Sequence, residues 1–142
     1  MTCSLLLLDD IMRFQYIEKE SRIVGRILKP IIEIEVLSKE DVWYGLDEIL
    51  VDTGADITLI PKSVGEEIVD NIKSGEKASI RGISPLELTV YIHKLTIKVA
   101  GKEFEASVAI ADSDEVPAVL GRFEALDIFD VKFENGKELT IE

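Results

Sequence analysis

The tetrapeptide Asp52-Thr53-Gly54-Ala55 stands between two apolar runs, Ile49-Leu50-Val51 before it and Ile57-Thr58-Leu59-Ile60 shortly after it. A carboxylate at the end of an apolar strand is costly unless it is hydrogen-bonded or protonated. Thr53 brings a hydroxyl able to lock the loop. Gly54 allows close backbone approach and donates an N–H with no side chain in the way. Such a loop makes sense where two identical carboxylates meet face to face. Like charges about 3 Å apart cannot both ionise, so one proton is shared and the pair becomes an acid–base couple. Asp-Thr-Gly alone is an ordinary strand-to-turn sequence, and three features weigh against that plain reading. The flanks on both sides are apolar, which is wrong for a surface turn. Downstream, Ala118-Val119-Leu120-Gly121-Arg122 supplies an apolar-apolar-glycine run able to support the loop. Between them, residues 80–88 supply a glycine-containing hairpin of the kind that covers a cleft, with Ile80-Arg81-Gly82-Ile83-Ser84-Pro85 as its turn.

Other chemistries find less support. One histidine, His93, and one cysteine, Cys3, do not make a zinc cluster, so no metal or other cofactor is expected. Ser84 and Ser107 have no histidine placed to activate them. Asp112-Ser113-Asp114-Glu115 is acidic but lacks the order and glycine of a calcium loop, and reads as a solvated loop. His93 and Glu66-Glu67 read as structural or solvated positions.

The elements that must position Asp52 are mostly strands. Ile27, Ile31, Ile32, Ile34 and Val36 alternate with Lys29, Glu33 and Glu35, and residues 42–51 form a second strand bent near Gly45; the two pair as a hairpin. Pro61 opens a helix whose Val64, Ile68 and Ile72 make one buried stripe up to Gly75. Residues 87–99 and 103–111 are long strands joined by Ala100-Gly101-Lys102. Residues 122–126 read as a short helix, and residues 131–133 with 138–141 as a hairpin around Asn135-Gly136. Many short strands with one or two short helices point to a mostly-β, barrel-like domain.

Length and charge narrow the partners. A chain of 142 residues with 46% apolar content suits one packed domain. Its net charge of −12 argues against nucleic acid, whose phosphates call for clustered Lys and Arg. No run approaches the roughly 20 apolar residues of a membrane span. Leu5-Leu6-Leu7-Leu8 meets Asp9 and Asp10 at once, and no positive segment precedes it to make a signal peptide. A single cysteine suits a reducing compartment, so a cytoplasmic location is expected. Residues 1–24 are expected to be a flexible N-terminal extension and residues 25–142 the domain itself.

At these residues the chain resembles the retroviral-type, or retropepsin-like, aspartic proteases, closest in style to their cellular and microbial single-domain members. Leu50-Val51-Asp52-Thr53-Gly54-Ala55-Asp56 looks like their active-site loop, and Val119-Leu120-Gly121-Arg122 like the Gly-Arg turn before their C-terminal helix. The resemblance implies a homodimeric closed β-barrel of the acid protease fold that hydrolyses peptide bonds. It makes Asp52 catalytic, gives Thr53 an interlocking contact across the dimer, and makes Gly54 a backbone donor beside the carboxylate. Ala55, Asp56, Ile57, Arg81, Gly82, Ile83 and Val119 would meet the polypeptide substrate. Leu120, Gly121 and Arg122 would support the loop, with Arg122 and Asp56 at positions that pair in the retroviral enzymes. The flap region, residues 80–88, has one glycine at Gly82 and a Pro85, fewer glycines than a retroviral flap. The competing expectation is a non-catalytic dimer of the same fold that binds peptides or serves as an assembly module.

Overall fold

Burial follows the alternation of the sequence. The computed structural model describes residues 11–81 and 86–142. Four short strands open the described chain: β1 (Met12–Gln15), β2 (Ile17–Ser21), β3 (Gly25–Lys29) and β4 (Ile31–Leu37). Along β4, Ile32, Ile34 and Val36 are each 2% exposed while Glu33 faces solvent, the signature of a strand with one wet face. Its partner β5 (Trp43–Val51) runs antiparallel to it. The bend lies at Asp47-Glu48 instead of Gly45: Ile34 faces Leu46 and Ile32 faces Ile49, so two exposed β5 residues oppose Glu33 alone. This is a β-bulge, which re-aims a strand and increases its twist.

The remaining elements are β6 (Thr58–Ile60), α1 (Lys62–Ile68), β7 (Glu76–Arg81), β8 (Glu87–Val99), β9 (Lys102–Ala111), β10 (Val119–Leu120), β11 (Val131–Glu134) and β12 (Glu138–Ile141). Hydrogen bonding runs β4-β5-β10-β6-β9-β8, and β8 returns to β4 through Glu35 facing Lys98 and Val36 facing Ile97. Six strands therefore close into a mixed barrel, in which β10 is parallel to β5 and β6 is parallel to β9. Closure leaves no free edge around that circuit. The β8–β9 hairpin turns at Ala100 and Gly101, both at positive φ, and the β11–β12 hairpin at Asn135 and Gly136, likewise. Ile34, Ile49, Ile60, Ile97, Ile110 and Leu120 fill the interior.

Two further expectations need correction. The helix after β6 ends at Ile68, well short of residue 75. The Ile68 carbonyl accepts the N–H of Lys39 from the β4–β5 turn at 2.7 Å, Val69 is extended, and the Asn71 side chain caps a separate 3-10 turn (Ile72–Ser74). Ile72 still packs on the core, so the apolar stripe survives the break. The helix expected over residues 122–126 is interrupted by Glu124, whose φ of 59° lies in the left-handed region, and only a 3-10 turn (Leu126–Ile128) follows. At the amino end, the expected boundary between residues 24 and 25 falls at the turn of the β2–β3 hairpin. From Met12 onward the chain is paired: β1 lies on β12, with Met12 facing Ile141, and Arg13 reaches Glu138 at 2.7 Å and Glu134 at 3.4 Å. Residues 1–10 lie outside the described residues.

The loop before β10 is also less free than its composition suggests. Asp114 accepts the Ser63 N–H at 2.7 Å, and the Ser113 carbonyl accepts the Lys62 N–H at 3.1 Å, so the loop caps the first turn of α1. The Ser63 N–H holds the Asp114 carboxyl below its ordinary range. Helix α1 then lies against β9 so closely that a Cβ on Gly65 would collide with the side chain of Ile110, which is fully buried. A β-branched residue has little rotamer freedom with which to yield. Gly65→Ala is therefore expected to lower the unfolding free energy by about 1–2 kcal/mol in urea denaturation, overpacking outweighing the roughly 1 kcal/mol gained in helix propensity. A more stable variant would show that Ile110 has room to move.

Candidate active site

The Asp52 loop is built by a strand of two residues. Val119 and Leu120 slot between β5 and β6, with Val119 facing Leu50 on one side and Leu59 on the other. The Asp52 N–H donates to the Leu120 carbonyl at 3.0 Å and the Leu50 N–H to the Ala118 carbonyl at 3.1 Å, so β5 is held up to the residue where chemistry would begin. The loop then turns on itself. Asp52 Oδ1 accepts the Gly54 N–H at 2.9 Å and the Asp52 carbonyl accepts the Ala55 N–H at 3.2 Å. Asp52 is half-buried, while Thr53 and Gly54 are exposed, so the outer side of the loop is uncovered. No cation pairs with Asp52 among the described residues.

Behind the loop, Gly121 fits where no other residue would. A Cβ there would strike the Ile57 carbonyl carbon and oxygen, which are backbone atoms and cannot swing aside. The Gly121 N–H donates to the buried Thr58 hydroxyl at 3.1 Å. The Arg122 N–H donates to the Ala55 carbonyl at 2.9 Å and the Phe123 N–H to the Asp56 carbonyl at 2.8 Å. Bracing of the loop by residues 121–123 is thus a backbone ladder. The expected side-chain pair between Asp56 and Arg122 is not formed: Arg122 Nε bonds Asp127 at 3.1 Å, and Asp56 is exposed. The reason is the left-handed turn at Glu124, which brings Asp127 back beside Arg122.

The other expected site residues divide. Ile57 belongs to a second apolar cluster, around Val90, Ala109 and Ala111, that also gathers Leu59, Ile80, Leu88 and Val116. Val119 is buried within the sheet, a wall position more than a contact surface. Arg81 is exposed and pairs with Glu87 directly across the β7–β8 stem at 2.5 Å. Gly82 and Ile83 lie outside the described residues. Ile80 and Leu88 bound the hairpin expected to cover a cleft, but neither they nor Val116 were read from sequence as substrate-binding residues; Val116 lies in the loop before β10. His93 is structural, its Nε2 2.7 Å from the Ile72 carbonyl. Among the described residues, no group of three or more His, Cys, Asp or Glu side chains is placed to share a metal ion.

Comparison with solved structures identifies the fold. A retropepsin-like aspartic protease from Rickettsia conorii matches with a TM-score of 0.61 at 16% identity, over 92% of this chain and 90% of that one. No family model matches the chain, and no curated protein does. The chain has the retropepsin-like fold: among the described residues, a closed six-stranded mixed barrel with one α-helix. Among the described residues no helix is long and apolar enough to cross a membrane.

Glu124 ties the supporting turn to the barrel wall. Its carboxylate accepts from Lys94 Nζ on β8 at 2.5 Å and from the Ser107 N–H on β9 at 2.8 Å. The Lys94 bond first, then those from Ser107, pull its pKa from 4.5 down to about 2. A lowered carboxyl pKa favours folding fully above the unfolded value and ceases to do so as pH falls through the folded one. The stability difference between the parent and Glu124→Gln should therefore be largest above about pH 5, shrink from pH 4.5 downward, and vanish near pH 2. Urea unfolding at pH 6, 4 and 3 measures it; a difference constant across that range would show that the carboxylate does not hold the turn.

Proposed function

We propose that the chain is an aspartic endopeptidase, working as a homodimer in which Asp52 and the partner subunit's Asp52 share one proton. The observation that carries this reading is the Asp52 carboxylate itself. It stands half-buried at the end of β5, oriented by the Gly54 N–H, with the outer side of its loop uncovered. A single such loop supplies one carboxylate, and a two-fold axis through it supplies the second.

The reaction follows from the pair's charge. The ionised Asp52 takes a proton from water as the water oxygen bonds to the scissile carbonyl carbon. The protonated Asp52 hydrogen-bonds and then protonates the carbonyl oxygen. The tetrahedral intermediate collapses as a proton passes to the amide nitrogen and the C–N bond breaks, with no acyl-enzyme. The β7–β8 hairpin supports the reading as a cover, since an extended peptide can add to such a hairpin by backbone hydrogen bonds. The cluster of Ile57, Leu59, Ile80, Leu88 and Val116 supports a substrate with apolar side chains beside the cleaved bond.

The test is cleavage of a diverse peptide mixture between about pH 3 and 7, the range in which a carboxylate dyad operates. The parent is expected to cut and Asp52→Asn to lose at least about 1,000-fold in kcat, while a metal chelator changes nothing. A dimer that cuts no peptide at any pH would move the assignment to the peptide-binding or assembly module. Charged residues dominating both flanking positions of the cleavage profile would remove the apolar preference.

A further inference from the structure

The β8–β9 hairpin has two apolar faces. Leu95, Ile97 and Val99, with Ala106, Val108 and Ile110, belong to the barrel interior. Leu88, Val90 and Ile92, with Ala109 and Ala111, belong to the second cluster, which also holds Ile57 and Leu59. Strand alternation keeps each set on one side of the sheet. In the antiparallel register Val90 faces Ala111 and Ile92 faces Ala109, and the next pair on that side is Lys94 with Ser107. Polar chemistry begins there. Glu124 meets both members of the pair: Oε2 accepts from Lys94 Nζ at 2.5 Å and Oε1 from the Ser107 N–H at 2.8 Å. The β6–β9 register starts at Thr58 facing Val108, so the carboxylate takes up a sheet N–H just before that pairing.

The same residue closes a short path to Asp52. Directly before it, the Phe123 N–H donates to the Asp56 carbonyl at 2.8 Å and the Arg122 N–H to the Ala55 carbonyl at 2.9 Å. The Ala55 N–H donates in turn to the Asp52 carbonyl at 3.2 Å. Glu124 itself has a φ of 59°, a conformation that suits glycine or asparagine and penalises a longer side chain. Backbone shape alone would favour glycine at this position. A glutamate there is accounted for by its reach, since its carboxylate spans from the turn to two strands. Arg122 Nε bonds Asp127 within its own segment at 3.1 Å, while Glu124 reaches β8 and β9.

We propose that Glu124 is a positioning residue: through Phe123 and Arg122 it holds the Asp52 loop at a fixed spacing from the apolar cluster on β8 and β9. The proposal rests on the endopeptidase reading of the site. There the cluster receives a substrate side chain while Asp52 meets the adjacent peptide bond, so the rate depends on how well that spacing is kept. Glu124 acts through the loop and not on the reacting atoms.

Two variants of the full-length chain separate this role from plain stability. Glu124→Gly removes the carboxylate and suits the left-handed turn, while Lys94→Met removes one partner and leaves the bond from Ser107 in place. Peptide cleavage is measured at enzyme concentrations where kcat no longer depends on concentration. In both variants kcat is expected to fall on the order of tenfold or more, with KM within about twofold of the parent's. Hydrogen exchange at single amides, followed by NMR, gives a readout that needs no substrate. The Arg122 and Phe123 amides are expected to exchange on the order of tenfold faster, well beyond any change at Ile97 and Ile110 in the barrel interior. The parent's kcat in Glu124→Gly overturns the proposal, because the shape of the turn would then suffice. So does a rise in KM at unchanged kcat, or an exchange increase no larger than that at Ile97 and Ile110. If Glu124→Gly does not fold, Lys94→Met decides by the same two readouts. A parent that cleaves no peptide overturns the endopeptidase reading, and exchange at Arg122 and Phe123 then still decides whether Glu124 holds the loop.

Discussion

The site depends on one close approach of backbone to backbone. Gly121 lies against the carbonyl of Ile57 with no room for a Cβ. That approach lets two residues, Val119 and Leu120, act as a full strand between β5 and β6. Through it the Leu120 carbonyl reaches the Asp52 N–H, and the N–H groups of Arg122 and Phe123 reach the carbonyls of Ala55 and Asp56. In the proposed dyad, a carboxylate that meets its symmetry mate within hydrogen-bond distance tolerates little displacement. Fixing it through main-chain bonds on both sides gives that precision without side-chain torsions that would have to be frozen.

The rest of the fold serves this arrangement at increasing distance. Barrel closure between β4 and β8 removes free edges and lets β-branched side chains fill the interior. The bulge at Asp47-Glu48 bends β5 before it delivers Asp52. Glu124, with its left-handed backbone, anchors the turn after Gly121 to β8 and β9 by ionic hydrogen bonds that stay charged to about pH 2. On the opposite flank, Asp114 caps α1 and so connects the loop before β10 to the helix after β6.

Several surfaces of the described chain are open to solvent. Thr53 and Gly54 are uncovered, the β2–β3 hairpin exposes apolar residues on both faces, and the β7–β8 stem stands beside an apolar cluster.

The Asp52 loop, the supporting run ending in Gly121-Arg122, the paired strands and both left-handed hairpin turns were legible in the sequence. Each is encoded locally: apolar alternation reports one wet face, and Ala100-Gly101 or Asn135-Gly136 reports a positive φ. What tertiary structure alone decided involves partners distant along the chain. Residues 12–15 look like part of an extension because their partner is β12, at the other end of the sequence. The helix stops at Ile68 because Lys39 takes its carbonyl, and the turn at Glu124 breaks a helical pattern because Lys94 and Ser107 hold its carboxylate. Arg122 and Asp56 have the right types to pair, yet a backbone turn sends the guanidinium to Asp127. Periodicity reports which face of an element is buried; which carbonyl, carboxylate or strand it meets is settled by energies that exist only once the chain has closed on itself.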